Sequence, residues 1–217
     1  MREAIIEPTL TKDVLMIEDV RKPAVLAELF YVGAAYSARE ISYRKLLGQL
    51  DDAGNTDTIA NYLRLLGNAG VLTGLFKYDE KVLKVRGSSP RLITYDPALM
   101  TVAIGKNQVD LPGSGKPQSD SGLRGNVVES AIGSYLLARS QAEGFELYWW
   151  RDGTKEVDYV IRKGPKRTAI EVKSGRIKGR GGLNAFLELY PGTYAVVVGG
   201  ADVSVEDFLL GKIPLFQ

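Results

Sequence analysis

Two short segments in the C-terminal half of the chain carry side chains that could do chemistry together. Asp158 lies in the segment KEVDYVI, and Glu171 and Lys173 lie in the segment AIEVKSG. A turn at Gly164-Pro165 predicts an antiparallel hairpin in which Asp158 faces Glu171. Directly opposed residues in such a pair have Cβ atoms about 4.5–5.5 Å apart, so the two carboxylates are predicted to be close neighbours.

Two carboxylates at that separation repel each other, and the pKa of one of them should rise unless a cation lies between them. A hard divalent ion that prefers oxygen ligands, Mg²⁺ or Mn²⁺, would relieve the repulsion. Lys173 projects from the same predicted face as Glu171, where its ammonium group could orient a water molecule or stabilise charge on a phosphate. The pattern therefore indicates a metal site formed by Asp158 and Glu171, with Lys173 as a catalytic neighbour.

A simpler interpretation of the same hairpin stays open. Glu156 and Lys173 could form an exposed cross-strand ion pair, an arrangement that is common on sheet surfaces. A shift of one residue in the turn would also separate Asp158 and Glu171 onto opposite faces of the sheet. In either case the hairpin would be only a structural element.

Glu129 is a further candidate for the same site. It lies on a predicted helix close to Ile132 and Leu136, on the apolar stripe that should face the sheet. Glutamate is rarely buried without a partner, so Glu129 could point toward Asp158 and Glu171. The alternative is that Glu129 lies at the edge of the stripe and reaches water.

Composition narrows the chemistry that remains. The 217 residues include no cysteine and no histidine, which excludes disulfides, thiol nucleophiles, histidine bases and the usual zinc ligands. No apolar run approaches the roughly 18–20 residues of a membrane span, and the N-terminus lacks the pattern of a signal peptide. We therefore expect a cytoplasmic protein without membrane contact, whose chemistry depends on carboxylates, lysines or an oxygen-bound metal.

The elements that must position the candidate residues alternate regularly. Gly144 is predicted to end a helix, and Asp152-Gly153 is a strong hairpin turn. The apolar run TYAVVVG favours a buried parallel strand. The predicted order is helix, three strands, helix and strand, over residues 125–143, 145–151, 155–161, 167–173, 181–190 and 193–199.

The first part of the chain is predicted to be mostly helical. Pro23 suits the first position of one helix, Ser42 can cap a second and Thr56 a third. Apolar stripes support the first and third of these helices, with Val25, Leu26, Leu29, Phe30 and Val32 in one and Ile59, Tyr62, Leu63, Leu66 and Ala69 in the other. Gly70 is predicted to end the third helix, and residues 71–78 and 81–85 to form a two-stranded wing. Three helices followed by a wing are the outline of a winged helix-turn-helix.

A stretch rich in Gly, Ser and Pro, GKNQVDLPGSGKPQSDSG, separates the two regions. We predict an α/β (α+β) protein with a helical, winged-helix-like domain over residues 1–104, a linker or loop over 105–124 and a second domain over 125–217. The stretch contains GSGK, but Asp110 and Pro117 stand where a phosphate-binding loop needs Gly and Ser or Thr. No ATP site is expected in this chain.

The residues of the candidate site resemble those of a known superfamily. Asp158 followed by Glu171-Val172-Lys173, after a helix that carries Glu129, resembles the pattern of the PD-(D/E)XK nucleases, whose common core has the same αβββαβ order. More closely, five segments resemble a C-terminal region of prokaryotic AAA-type ATPases, of uncharacterised function, that joins a winged helix to a nuclease-like domain. These segments are ISYRKLLGQL, TIANYLRLLGNAGVLTGL, RLITYDPAL, EVDYVI and AIEVKSG.

The resemblance implies a Mg²⁺-dependent, nuclease-like activity on DNA. It implies that Asp158 and Glu171 bind the metal, that Lys173 assists the attacking water and that Glu129 matches the helix acid of some members. The ATPase module that normally precedes these segments is missing, so we expect an excised fragment or a shortened gene, with an ATPase acting in cis or in trans. The alternative is a catalytically inactive module that binds nucleic acid or protein.

Nucleic acid is the partner that the resemblance implies, and basic residues are the candidates for contacting it. The third helix carries only Arg64, too few basic side chains for base readout, so phosphate contacts are expected instead. Residues 162–180 contain eight basic side chains and one acidic, Glu171, which suits a polyanion. A solvated face, or a winged helix used for protein contact, is the alternative. The remaining candidates are Lys77, Lys81, Lys84, Arg86 and Arg91 near the wing and Arg176, Lys178 and Arg180 near the site.

Overall fold

The computed structural model describes residues 2–17, 20–80, 88–105, 121–173, 181–201 and 203–217. It is a mixed α/β (α+β) protein, as predicted. The chain forms two compact units, one of Met1–Gly74 with Ser88–Pro117 and the other of Leu75–Gly87 with Gln118–Gln217. Most of the predicted linker lies outside the described residues. Within those ranges, no helix is both long and apolar enough to cross a membrane.

The first unit is mainly helical. Residues 2–17 are helical, with wide π-type turns at Arg2–Ile6 and Thr9–Asp13 and the short helix α1 at Val14–Ile17. The further elements are α2 (Pro23–Ala35), α3 (Tyr43–Leu47), α4 (Thr56–Asn68), the strands β1 (Leu72–Lys77) and β2 (Arg91–Thr94), and α5 (Pro97–Ala103). From Leu75 onward, β1 belongs to the second unit. The three predicted helices correspond to α2, α3 and α4, whereas the helical residues 2–17 and α5 were not predicted.

Local sequence signals explain where these helices begin and end. Pro23 is the first residue of α2, and Ser42 caps α3 by accepting a hydrogen bond from a backbone N–H group at 3.2 Å. The predicted cap of α4 was wrong by one residue. Asn55, not Thr56, is the N-cap, since its side-chain oxygen accepts a backbone hydrogen bond at 2.9 Å. Gly70 follows the end of α4, as predicted.

An apolar core holds the helices of the first unit together. The predicted stripes of α2 and α4 are confirmed, because their members are buried or pack at the edge of one hydrophobic cluster. Val32 and Ala69 lie at that edge and are partly buried. The fully or nearly buried members of the two stripes are Val25, Leu26, Leu29, Phe30, Ile59, Tyr62, Leu63 and Leu66.

Residues 71–78, predicted as the first strand of a wing, correspond to β1. The second predicted strand, over residues 81–85, lies outside the described residues. A strand that was not predicted, β2, lies beside β1, and all four of its residues are buried. A run of buried residues gives no period-2 signal, which explains why β2 was missed.

The second unit has the predicted order of helix, three strands, helix and strand. Its elements are α6 (Ser121–Glu143), β3 (Glu146–Asp152), β4 (Lys155–Lys163), β5 (Lys166–Val172), α7 (Gly181–Leu189), β6 (Tyr194–Val198) and the unpredicted α8 (Val205–Leu209). The strand order is β1-β3-β4-β5-β6, with the end of β1 parallel to β3. Strands β3, β4 and β5 are antiparallel, and β6 runs parallel to β5.

Helices cover both faces of β4 and β5. On one face the hydroxyl of Tyr159 donates a hydrogen bond of 2.7 Å to the backbone carbonyl of Glu129 in α6. On the other face Phe186 of α7 belongs to the same apolar cluster as Val160 and Ala169. Both strands are therefore buried from two sides, and residues 159–161 of β4 and 168–172 of β5 are buried without alternation.

Candidate functional site

The register of the β4–β5 hairpin is the predicted one. Tyr159 pairs with Ile170, and the pairing continues to Lys163 opposite Lys166 at the turn. Continued by one residue, this register brings Asp158 to the position of Glu171, where β4 also shifts its register against β3 between Val160 and Val157. The predicted core residues are all buried: Val157, Tyr159, Ile161, Ile170 and Val172. The prediction that they share one face was wrong for Val157, which belongs to the apolar cluster of α7 with Val160 and Ala169, because β4 shifts its register against β3 between Val160 and Val157.

The two strands separate at Asp158. Backbone pairing between β4 and β5 ends at Tyr159 and Ile170, and the next N–H group, that of Val172, donates to Asp158 Oδ2 at 2.7 Å. The side chain of Asp158 thus takes the place of a ladder hydrogen bond. Its half-buried carboxylate lies against the backbone of the residue that follows Glu171.

Neighbouring strands explain this separation. The first residues of β4 continue to pair with β3, with Glu156 opposite Arg151. The last residues of β5 continue to pair with β6, with Glu171 opposite Val197 and Val172 opposite Val198. Each strand is held by its outer neighbour, and the gap between them is bridged by a carboxylate.

Glu171 and Lys173 form an ion pair in this gap. The ammonium group of Lys173 donates to Glu171 Oε1, and the two side chains are only 12% and 11% exposed, respectively. Two residues apart on an extended chain, they lie on the same face. The simpler interpretation of the hairpin paired Lys173 with Glu156 instead. In the structure Glu156 is paired with Arg151, whose Nε lies 3.0 Å from the carboxylate.

Two glycines that the sequence analysis missed let other backbone segments approach the site. A Cβ atom on Gly199 would lie 1.9 Å from the carbonyl oxygen of Lys173, and a Cβ atom on Gly182 would lie 1.9 Å from that of Glu156. The N–H group of Lys173 also donates to the carbonyl of Val198 at 2.7 Å. Each glycine belongs to a Gly-Gly pair, at the start of α7 or after β6, which is a signal for close backbone approach.

Glu129 lies on α6, which contacts β4 next to the site. Its backbone carbonyl accepts a hydrogen bond of 2.7 Å from the hydroxyl of Tyr159, the residue that follows Asp158 in β4. Among the described residues, no three acidic or other metal-binding side chains come together as a group that could hold an ion. The structure therefore brings together Asp158, Glu171 and Lys173, and it does not gather Glu129 with them.

The predicted nucleic-acid contacts are only partly within the described residues. Arg64 is exposed on α4, where its guanidinium group donates to Asn61 Oδ1 at 2.9 Å, and Lys77 is half-buried at the end of β1. Arg91 is only 3% exposed, so its side chain is not part of an open basic surface. The other six candidates lie outside the described residues: Lys81, Lys84, Arg86, Arg176, Lys178 and Arg180.

The donor set of the gap suits one class of metal. Two carboxylates and a nearby ammonium group offer hard oxygen ligands but too few of them for a site made of protein alone. Mg²⁺ is commonly bound in this way, by one or two carboxylates together with water and substrate phosphate. Asp158 and Glu171 therefore fit Mg²⁺ or Mn²⁺ better than a metal that needs nitrogen or sulfur ligands.

Comparison with known families places the two regions of the chain. Residues 124–215 match the model of a domain of unknown function, DUF4143, which is a domain found in AAA-ATPase-associated proteins. Residues 1–110 match the model of another domain of unknown function, DUF8612. No curated protein and no solved structure matched the chain. Because the second of these matches covers slightly more than half of the 217 residues, the chain belongs to the DUF8612 family.

Proposed function

We propose that the second unit is a metal-dependent, nuclease-like domain of the PD-(D/E)XK type that hydrolyses phosphodiester bonds of DNA. The observation that carries this proposal is the gap between β4 and β5. There the carboxylate of Asp158 and the ion pair of Glu171 with Lys173 lie at the same end of one hairpin. The confirmed register supports this proposal, since a shift of one residue would have separated the two acids.

Each side chain has a role that its position supports. Asp158 and Glu171 would hold the cation, and the bond from the Val172 N–H group keeps the Asp158 carboxylate oriented. Bound there, Mg²⁺ supplies Lewis-acid activation of water and neutralises charge that develops on the phosphate. The ammonium group of Lys173 could hold the attacking water or the phosphate oxygen, because its backbone is fixed by β6 and its long side chain has several rotatable bonds.

The first unit would hold the DNA. Helices α2, α3 and α4 followed by β1 have the order of a winged helix-turn-helix, and Arg64 is exposed on the third of these helices. With one basic residue on that helix, contacts to phosphate are expected to outnumber contacts to bases. The match to DUF4143 supports an AAA-type ATPase as a further partner, in cis or in trans.

A second function is favoured by the enclosure of Glu171. This residue is 8% exposed and already bonded to Lys173, so the gap could be a stable ion pair in a nuclease fold that no longer cuts. Such a module would bind nucleic acid or a protein partner of an ATPase. It would show DNA binding that weakens steeply with salt, without any cleavage.

A cleavage assay separates the two. Purified protein is incubated with duplex, single-stranded and branched DNA in the presence of Mg²⁺ or Mn²⁺. We expect cleavage, reduced by about 100-fold or more in Asp158→Asn, Glu171→Gln and Lys173→Met, because the first two remove a ligand of the cation and the third removes the positive charge near the phosphate.

The matched control is Glu146→Gln, which removes a carboxylate paired with Arg162 at the other end of the sheet and should leave cleavage unchanged. If the wild-type protein at high concentration cuts none of these DNA forms with either metal, the nuclease proposal is wrong. Salt-dependent binding without cleavage would then support the non-catalytic module, and salt-insensitive or absent binding would favour a protein-interaction role.

A further inference from the structure

Glu171, which is proposed to bind a metal, is already paired with the positive charge of Lys173. The ammonium group of Lys173 donates to Glu171 Oε1, and both side chains are about nine-tenths enclosed. Within the described part of the chain, Glu171 is the only buried carboxylate, at 8% exposure. An ion pair in such a position is screened by water much less than a surface pair, so the two charges interact strongly.

The backbone on either side keeps the two groups together. Glu171 is fixed between its strand neighbours, opposite Val197 of β6. The backbone of Lys173 is bonded to Val198 at 2.7 Å, and Gly199 packs directly against its carbonyl. The ammonium group can therefore leave Glu171 by rotation of its own side chain, without movement of the strand.

We propose that Lys173 is the resting counter-ion of Glu171 and that a divalent cation must displace it to enter the site. This inference rests on the proposed metal site. The net charge of Asp158, Glu171 and Lys173 together is −1, so the lysine weakens the attraction of the site for a divalent ion. Displacement turns the ammonium group away from Glu171, which makes it available to a phosphate anion. Replacement of the ammonium group by the divalent cation therefore both fills the metal site at Glu171 and frees Lys173 to contact the phosphate.

Metal binding in the absence of DNA tests this exchange. Mn²⁺ is titrated into the wild-type protein and variants, and binding is followed by calorimetry and by the electron paramagnetic resonance signal of free Mn²⁺. Lys173→Met and Lys173→Gln are expected to bind Mn²⁺ about tenfold more tightly than the wild type, because the competing charge is removed. Glu171→Gln should weaken binding by at least a similar factor.

The matched control is Lys166→Met, which removes the same charge from the turn end of the same strand. Its Mn²⁺ affinity should stay within about twofold of the wild type, since the charge is far from the gap and screened. Thermal unfolding checks that each variant is folded.

A measurement on the unmodified protein keeps the inference testable if the variants do not fold. Acetylation of lysines is followed by mass spectrometry with and without Mg²⁺. The reactivity of Lys173 should increase several-fold with Mg²⁺ while that of Lys166 stays constant. An unchanged or lower reactivity of Lys173 would overturn the displacement.

The outcomes separate failure of the proposed competition from failure of the proposed metal site. If the wild type binds Mn²⁺ and both Lys173 variants bind it equally or more weakly, the competition is wrong and the metal site stands. If neither the wild type nor any variant binds Mn²⁺ at millimolar concentration, the metal site itself is wrong, and the competition is overturned with it.

Discussion

The two units have different cores. The first unit is held together by a largely aliphatic cluster between helices, with Phe30 and Tyr62 as its buried aromatic residues. The second unit combines a sheet with an aromatic cluster that includes Tyr78, Trp150 and Phe186. Its sheet also contains the buried carboxylate Glu171, which no apolar core requires. A carboxylate costs free energy to bury, so the position of Glu171 beside Asp158 and Lys173 marks where the chemistry is expected.

The aromatic cluster of the second unit surrounds a cation. The guanidinium group of Arg167 lies over the rings of Tyr78 and Tyr190, at 5.7 and 4.9 Å from their centroids. It also donates to the hydroxyl of Tyr78 at 2.8 Å and forms an ion pair with Glu80. Cation–π contacts and hydrogen bonds thus anchor the end of β1 to β5. The second unit is therefore held by charge as well as by apolar burial.

Removal of one buried phenylalanine from each unit should have the largest effect on stability. Phe30→Ala and Phe186→Ala are each expected to lower the free energy of unfolding by about 3–5 kcal/mol, because both rings are fully buried. Denaturant unfolding measures the loss, and hydrogen exchange shows which residues lose protection. Only Phe186→Ala should reduce Mn²⁺ binding. Equal loss of Mn²⁺ binding in Phe30→Ala would break the assignment of the chemistry to the second unit.

A smaller effect is expected where a backbone approaches the site. Gly199 and Gly192 have nearly the same φ, 80° and 78°, but only Gly199 lies against another backbone segment, at Lys173. Alanine at either position should cost about 1–2 kcal/mol for its left-handed conformation. Gly199→Ala should cost a further ~1–3 kcal/mol because the added methyl group overlaps a carbonyl.

The pair of glycine variants also reports on the site. Denaturant unfolding measures the two costs, and Mn²⁺ titration measures the consequence for Lys173 and Glu171. Gly199→Ala should change the Mn²⁺ affinity and Gly192→Ala should not. Equal effects of the two variants on both quantities would mean that the contact with Lys173 does not position the site.

Local signals explain most of what the sequence could predict. The Gly164-Pro165 turn sets the register that brings Asp158 to the backbone beside Glu171, and turn chemistry of this kind acts over a few residues. The αβββαβ order followed from periodicity and from breakers such as Gly144. The caps were predicted to within one residue, since Ser42 is the cap of α3 and Asn55 replaces its neighbour in α4.

Non-local packing explains what could not be predicted. The separation of β4 from β5 at Asp158 depends on pairing with β3 and β6, which no local pattern encodes. The contact of α6 with Tyr159 depends on how that helix packs, and a helical stripe does not specify which residues of a sheet it covers. Arg91 was predicted to contact phosphate because it is positively charged. Its burial follows from the position of β2.

The smallest predicted effect concerns the tyrosine that supports Arg167. Burial raises the pKa of Tyr78, and the hydrogen bond from Arg167 opposes that shift without cancelling it. The unfolded chain loses this proton near the ordinary pKa of 10.0, whereas the folded protein keeps it to higher pH. Above that value the unfolded state binds fewer protons than the folded state, so the free energy of unfolding should fall as the pH rises.

Tyr78→Phe cannot ionise and should flatten this fall, while losing about 1 kcal/mol at neutral pH through the missing hydrogen bond. Urea unfolding between pH 8 and pH 11 measures both, with Tyr43→Phe, a tyrosine of the first unit whose pKa is also raised by burial, as the matched control. Hydrogen exchange in the second unit should be as sensitive to alkali in Tyr43→Phe as in the wild type, and less sensitive in Tyr78→Phe. That result would assign the alkaline sensitivity of the second unit to the aromatic cluster around Arg167. If Tyr78→Phe leaves the slope of stability against pH unchanged, the hydroxyl does not retain its proton in the folded protein.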